Sequence, residues 1–336
     1  MTRFAWLQSR TQTVTAVVLV AALAVVATTT GIHLSHLYSS LVAHCHTGCD
    51  LAASQFTAHD KGINTAFDLL ALLAPALIGI FWGAPLVARE LETNTYRLAW
   101  TQSVSRSRWL ATKLRVGGLM AVVTAAFVTL SITWWSRALD TVASNQYDLF
   151  DRRDIAPIAY AAFAFAAGAL IGAVMRRTVP AMAVTIGVYA FARTITTIVR
   201  PHFLSPTRKT MALNPDQIAI TVRGTGSGPV AHIAAQGSGP PNSWTLSSHL
   251  VTDSGHVPSA AQVSAFVHQH CPGPGTAHRA NVTTCANQIA QTFRVLVTYQ
   301  PAKSYWTFQW IESGIFIVAA TVAVIGCYWW VTQHTS

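Results

Sequence analysis

Three kinds of side-chain group in this sequence have types and spacings that could do chemistry. His44, Cys45, His46 and Cys49 stand at the spacing of metal ligands, and thiolate with imidazole would suit zinc or copper. The same residues would equally make a small disulfide loop with incidental histidines. His268, His270 and Cys271 repeat the pattern more sparsely. Asp68 and Arg193 fall inside long apolar stretches, where a charge is costly unless it is paired or reaches water. They are expected either to form one ion pair or to reach separately toward lipid headgroups. The third group is a charged island, residues 83–115, with Arg89, Arg97, Arg106, Arg108, Lys113 and Arg115 beside Glu90 and Glu92. No G-x-x-x-x-G-K-[ST] phosphate loop occurs, so this chain cannot bind a nucleotide in the P-loop manner. Within residues 200–310 neither a hydrolase elbow nor a catalytic triad is legible.

The elements that must position these groups are set by hydropathy. Of the 336 residues, 51% are hydrophobic and 10% charged, against roughly a quarter charged in ordinary soluble domains. Apolar runs at about 13–34, 65–87, 116–135, 155–175, 179–199 and 311–331 are each long enough, at 1.5 Å per residue, to cross a hydrocarbon core of roughly 30 Å. The first exceeds the roughly 7–15 apolar residues of a cleaved signal sequence. The expected fold is therefore an all-α polytopic membrane protein with six transmembrane helices. Residues 1–199 would hold spans one to five, 200–310 a small α+β extracytoplasmic insertion, and 311–336 the sixth span with a short cytoplasmic tail.

Orientation follows from the bases. With both termini in the cytoplasm, the short inner segments hold Arg3, Arg10, the six bases of the island, Arg176 and Arg177, and the short outer loops only Lys61, Arg137, Arg152 and Arg153. The net charge of +10 is explained by these flanks and by anionic lipid headgroups, with no nucleic-acid-binding motif beside it. Cys45, Cys49, Cys271 and Cys285 would then lie outside. There disulfides are expected, with the local pairings Cys45–Cys49 and Cys271–Cys285 preferred among the three possible.

Within the insertion, 217–222 and 293–299 alternate as strands, 258–270 has helical spacing, and the glycine- and serine-rich run 224–241 reads as a loop. Gly79 with Gly83 and Gly168 with Gly172 are G-x-x-x-G pairs, which let helix backbones approach closely. Glu312 stands at the mouth of the sixth span.

The segment ARELETNTYRLAWTQSVSRSRWLATKL, residues 88–114, and the segment YQPAKSYWTFQWIESGIF, residues 299–316, resemble the permease subunits of bacterial ABC transporters of the ABC-2 type. Asn94 departs from the pattern, since a glycine commonly follows the acidic pair in that family. The resemblance implies a plasma-membrane subunit that pairs with a second permease copy, identical or not, and with two copies of a separate ABC ATPase. ATP and magnesium would bind that partner, and no cofactor or catalysis is expected on this chain. It further implies that Arg89, Glu90 and Glu92 end the second helix at the ATPase surface. Residues 105–110 would form a short coupling helix, with Ser105 in it and Arg106, Arg108 and Trp109 touching the partner. The function so implied is export of a lipophilic or amphipathic small molecule. The alternative is a non-transporting sensor or resistance module whose outer domain binds a peptide, antibiotic or cell-wall component.

Overall fold

The computed structural model describes residues 2–41, 43, 56, 61–93, 105–137, 145–215, 218–225, 228–235, 237, 239–271 and 279–334. It divides into two compact units, one of residues 1–144, 148–200 and 306–336, the other of 145–147 and 201–305.

The first unit is helical. It comprises α1 (Thr2–Leu41), α2 (Lys61–Ile78), a π-helical turn (Gly79–Gly83) running directly into α3 (Ala84–Glu92), α4 (Arg106–Trp135), α5 (Ala156–Met175), α6 (Thr178–Val199) and α9 (Tyr305–His334). Among the described residues six of its helical stretches are long and apolar enough to cross a membrane, with α2, the π turn and α3 counting as one. Their outer faces carry large apolar side chains such as Leu119, Phe127, Leu130, Phe191, Ile198, Val318 and Val322, all exposed, as lipid contact requires. The exception is α5, whose apolar stretch is 67% buried against 17–39% for the others, so α5 is the central helix.

Local sequence explains the breaks. Ser105 caps α4 by accepting a hydrogen bond from the Arg108 backbone N–H at 3.4 Å. Pro157 occupies the first turn of α5, where no intrahelical donor is required. At its other end Arg176 takes a left-handed conformation with φ 55°, and Arg177 is extended, so the chain reverses at once into α6.

The two G-x-x-x-G pairs meet each other. A Cβ on Gly79 or Gly83 would lie 2.8 and 2.5 Å from the carbonyl oxygens of Ala164 and Phe165. One on Gly168 or Gly172 would lie 2.6 and 2.3 Å from those of Gly79 and Ala84. Close backbone approach of this kind supplies the dispersion contacts that hold helices together where no water remains to be expelled. The π turn, a few residues beyond Pro75, widens the second span where α5 crosses it. A second contact region joins α1, α2 and α4: Phe67 packs edge-on against Trp135 at 4.6 Å, and Trp135 Nε1 donates to Thr30 Oγ1 at 3.0 Å.

The second unit contains a three-stranded antiparallel sheet of order β1-β5-β4, made of β1 (Thr207–Ala212), β4 (Trp244–Thr252) and β5 (Phe293–Gln300). It also contains the antiparallel pair β2 (Ile218–Thr225) and β3 (Gly228–Ala235), with α7 (Ala260–His270) and α8 (Arg279–Thr292). Alternate residues Phe293, Val295, Val297 and Tyr299 of β5 are buried with Leu213, Cys285 and Ile289. A reciprocal capping box between Ser259 and Gln262 starts α7, and a disulfide joins Cys271 to Cys285. The run 224–241, expected as a loop, instead includes β3. Its Pro-Val-Ala-His-Ile-Ala-Ala stretch pairs residue for residue with β2, and that ladder outweighs the flanking glycines. β1 and β4 pair with β5 on its two sides, and α8 packs on it.

Candidate functional site

Two polar constellations stand out in the helical unit, and both are built from helix ends. The first lies where α3 stops and α4 begins. Glu90, buried, forms an ion pair with Lys113, whose Nζ also lies 5.0 Å from the centre of the Trp109 ring. Glu92 Oε2 accepts from the backbone N–H and the hydroxyl of Thr178 at 3.0 and 2.7 Å, capping the start of α6. The two glutamates therefore fasten α3 to α4 and to α6. Arg89, Arg108, Arg115, Arg176 and Arg177 remain exposed around them.

The second is a charge cluster gathered from three separate segments, whose members are buried except for Asp151. Asp151 precedes α5, Arg193 lies on α6, Arg200 follows it, and Glu312 is on α9. The side chain of Glu312 is 0% exposed. It accepts from Arg193 Nη1 at 2.8 Å, Arg200 Nε at 2.7 Å, Arg200 Nη2 at 2.9 Å and the Tyr160 hydroxyl at 2.5 Å. Asp151 accepts from Arg193 Nη2 at 2.9 Å, from Arg200 Nη1 at 3.2 Å and, most closely, from Arg200 Nη2. Both guanidiniums lie on aromatic faces, Arg193 3.9 Å from the Tyr160 ring and Arg200 4.3 Å from that of Phe150. Gln309 braces the surroundings, accepting from the Ala156 N–H at 2.9 Å and donating to the Phe150 carbonyl at 3.2 Å.

Two arginines against two carboxylates make the cluster neutral, which is the condition for burying charge in such a place. Burial pushes the Asp151 carboxyl up, but the hydrogen bond and charge of Arg200, then those of Arg193, outweigh it and hold it below the usual range. Next to it Arg152 is pushed down to about 10 by burial, with the charge of Arg153 adding to the effect.

The family model described as "ABC-2 membrane transporter related" matches residues 16–200. The chain belongs to this family. No curated protein and no solved structure matches it. The ABC-2 chain is thus a multi-pass membrane protein of an ABC transporter, a permease component of a kind that generally carries out no catalysis itself and works with an ABC ATPase. The matched segment contains Asp151, Tyr160, Arg193 and Arg200, while Glu312 lies beyond it.

Set against the expected sites, the ABC-2 chain differs in several places. Asp68 and Arg193 do not pair with each other: Asp68 pairs with Arg152, and Arg193 with Asp151 and Glu312. Arg152 is held at the same point by Asn64 Oδ1 at 3.0 Å, which puts a closer cation beside Asp68 than α6 offers. Residues 106–110 form no separate coupling helix but are the first turns of the 30-residue α4. The phase of that long helix turns Trp109 inward, 6% exposed beside Leu110 and Leu114, leaving Arg108 outside and Arg106 partly covered. Of the acidic pair, Glu90 is likewise inside. Cys45, Cys49, His44, His46 and Asn94 lie outside the described residues. Cys271 is committed to its disulfide, and among the described residues no group of three or more His, Cys, Asp or Glu side chains is placed to hold a metal. Asp151 and Arg200 received no role from the sequence, and Lys113 only that of one base among the six of the island. Their signal was an excess of formal charge at span boundaries, which topology rules assign to headgroups.

Proposed function

We propose that this chain is the membrane-spanning permease subunit of an ATP-driven exporter in a bacterial plasma membrane. On this reading both termini and the arginine face of Arg89, Arg108, Arg176 and Arg177 lie in the cytoplasm, and the unit of residues 201–305 lies outside. Two ATPase subunits supply the work, with ATP and magnesium bound there, and a second permease copy completes the pathway. The cargo is a lipophilic or amphipathic small molecule taken between apolar helices and released by alternating access.

The observation that carries this reading is the clasp beneath the arginine face. Because Glu90 holds Lys113 and Glu92 holds Thr178, a push on the start of α4 moves α3 and the start of α6 with it. A partner that docks on the exposed arginines therefore acts on three spans at once. Charge complementarity suits such docking, since exposed arginines steer an acidic surface into register.

Reversing the two exposed charges, Arg89→Glu with Arg108→Glu, is expected to abolish co-purification of the ATPase while leaving the permease in the membrane. Unchanged co-purification would remove the docking role. ATP-dependent movement of a labelled hydrophobic compound into inverted vesicles tests the export reading, and its absence across a panel of such compounds would overturn it.

A further inference from the structure

The Arg193–Arg200 pair has the construction of an oxyanion site that is at present filled by a carboxylate of the chain itself. Glu312 is wholly enclosed and bound by both guanidiniums, whereas the Asp151 side chain is 43% exposed. Asp151 is also carried on the short segment before α5 and not on a span. If Asp151 swings out, Arg193, Arg200 and Glu312 remain together through the three guanidinium contacts to Glu312, and both arginines stay stacked on Tyr160 and Phe150. What remains carries one net positive charge and planar donors whose geometry suits a two-oxygen anion. Independently of this, Arg193 is 8% exposed, yet its Nε makes no hydrogen bond of normal length among the described residues, the Tyr189 hydroxyl being the further polar group beside this guanidinium. A buried guanidinium donor without an acceptor costs free energy, and a ligand oxygen would satisfy it.

We infer that this pair is a binding site for a monoanionic oxyanion, a carboxylate or a phosphodiester, with Asp151 as the resident group that such an anion displaces. The site rests on the cluster's geometry and stands apart from the export reading, so either can fail without the other. Its ligand would come from the membrane, as an anionic amphiphile or lipid headgroup, or from solution as a free anion.

The test uses the full purified chain and Asp151→Asn, which keeps the shape and removes the competing charge. An internal carboxylate competes at an effective concentration on the order of millimolar or more. Asp151→Asn is therefore expected to bind laurate at least about tenfold more tightly than the unaltered protein and to recover thermal stability as laurate is added. Recovery by laurate and by nanodiscs of phosphatidylglycerol, but not by phosphatidylcholine or inorganic phosphate, supports the site with a membrane source. Recovery by inorganic phosphate as well supports it with a soluble source. Adding Arg193→Lys, which loses the planar fork, is expected to abolish recovery. If Asp151→Asn folds only when purified with laurate or phosphatidylglycerol, the site is supported. Equal affinity in both proteins, or no recovery with any of the three anions, overturns it.

Discussion

Neutralising Glu312 tests whether the buried cluster is held together by charge balance. In Glu312→Gln the volume is kept, but four donor contacts from Tyr160, Arg193 and Arg200 lose the carboxylate they converge on. One of the two amide positions also presents a donor to donors. The two guanidiniums then share Asp151 alone, leaving one uncompensated positive charge beside a residue that is 0% exposed. Breaking a buried pair in this way costs about 3–5 kcal/mol. At about 2 °C per kcal/mol for a chain of this size, the unfolding midpoint falls by roughly 6–10 °C. The assay is thermal unfolding of the purified protein in detergent, followed by tryptophan fluorescence. Adding Arg193→Met restores neutrality, so the double variant is expected to recover about 1–3 kcal/mol relative to the sum of the single changes. A midpoint within about 1 °C of the unaltered protein, or strict additivity of the two changes, would refute the reasoning.

Three further outcomes are expected. Gly172→Val, whose Cβ would lie 2.3 Å from the Ala84 carbonyl oxygen, should destabilise by about 1–3 kcal/mol, seen as a lower midpoint, whereas Gly314→Ala, with nothing within 4 Å, should be neutral or stabilise by up to about 1 kcal/mol. The Asp151 carboxyl is held below its ordinary value of 3.8, so its contribution to stability is present above that value and lost as pH falls through the lower folded one. An acid titration should therefore show stability dropping below about pH 4, with a shallower acid limb in Asp151→Asn. Reducing Cys271–Cys285, which closes a separation of 14 residues, should cost about 3 kcal/mol and expose the chain between 201 and 305 to limited proteolysis.

The membrane-spanning part was legible because apolar length is a property of consecutive residues and survives any packing arrangement. The glycine pairs were also visible, although spacing alone said nothing about which helix each would meet. Partners of Arg193 were not. Asp151 and Glu312 lie 42 and 119 residues away, and only the tertiary packing that sets the segment before α5 and the start of α9 beside α6 brings them together. Trp109 was misjudged for a related reason: read as part of a detached surface helix it faces outward, but continuous with α4 it inherits the phase of that helix's buried side. In the second unit, glycine-rich composition hid β3, because strand pairing is decided by the neighbour and not by the residues alone.

The wide turn at Gly79–Gly83 alters the arithmetic of the helix that contains it. Each residue of a regular helix advances the chain by about 100°, and the surplus residue in the bulge sets everything below it one step round from an unbroken rod. That Arg89 faces out and Glu90 faces Lys113 is thus a product of this extra step. Excising one residue there, a lesion most loops would tolerate, would swing the acidic side chain roughly 100° off its lysine. The arm's length would hardly change; its aim would.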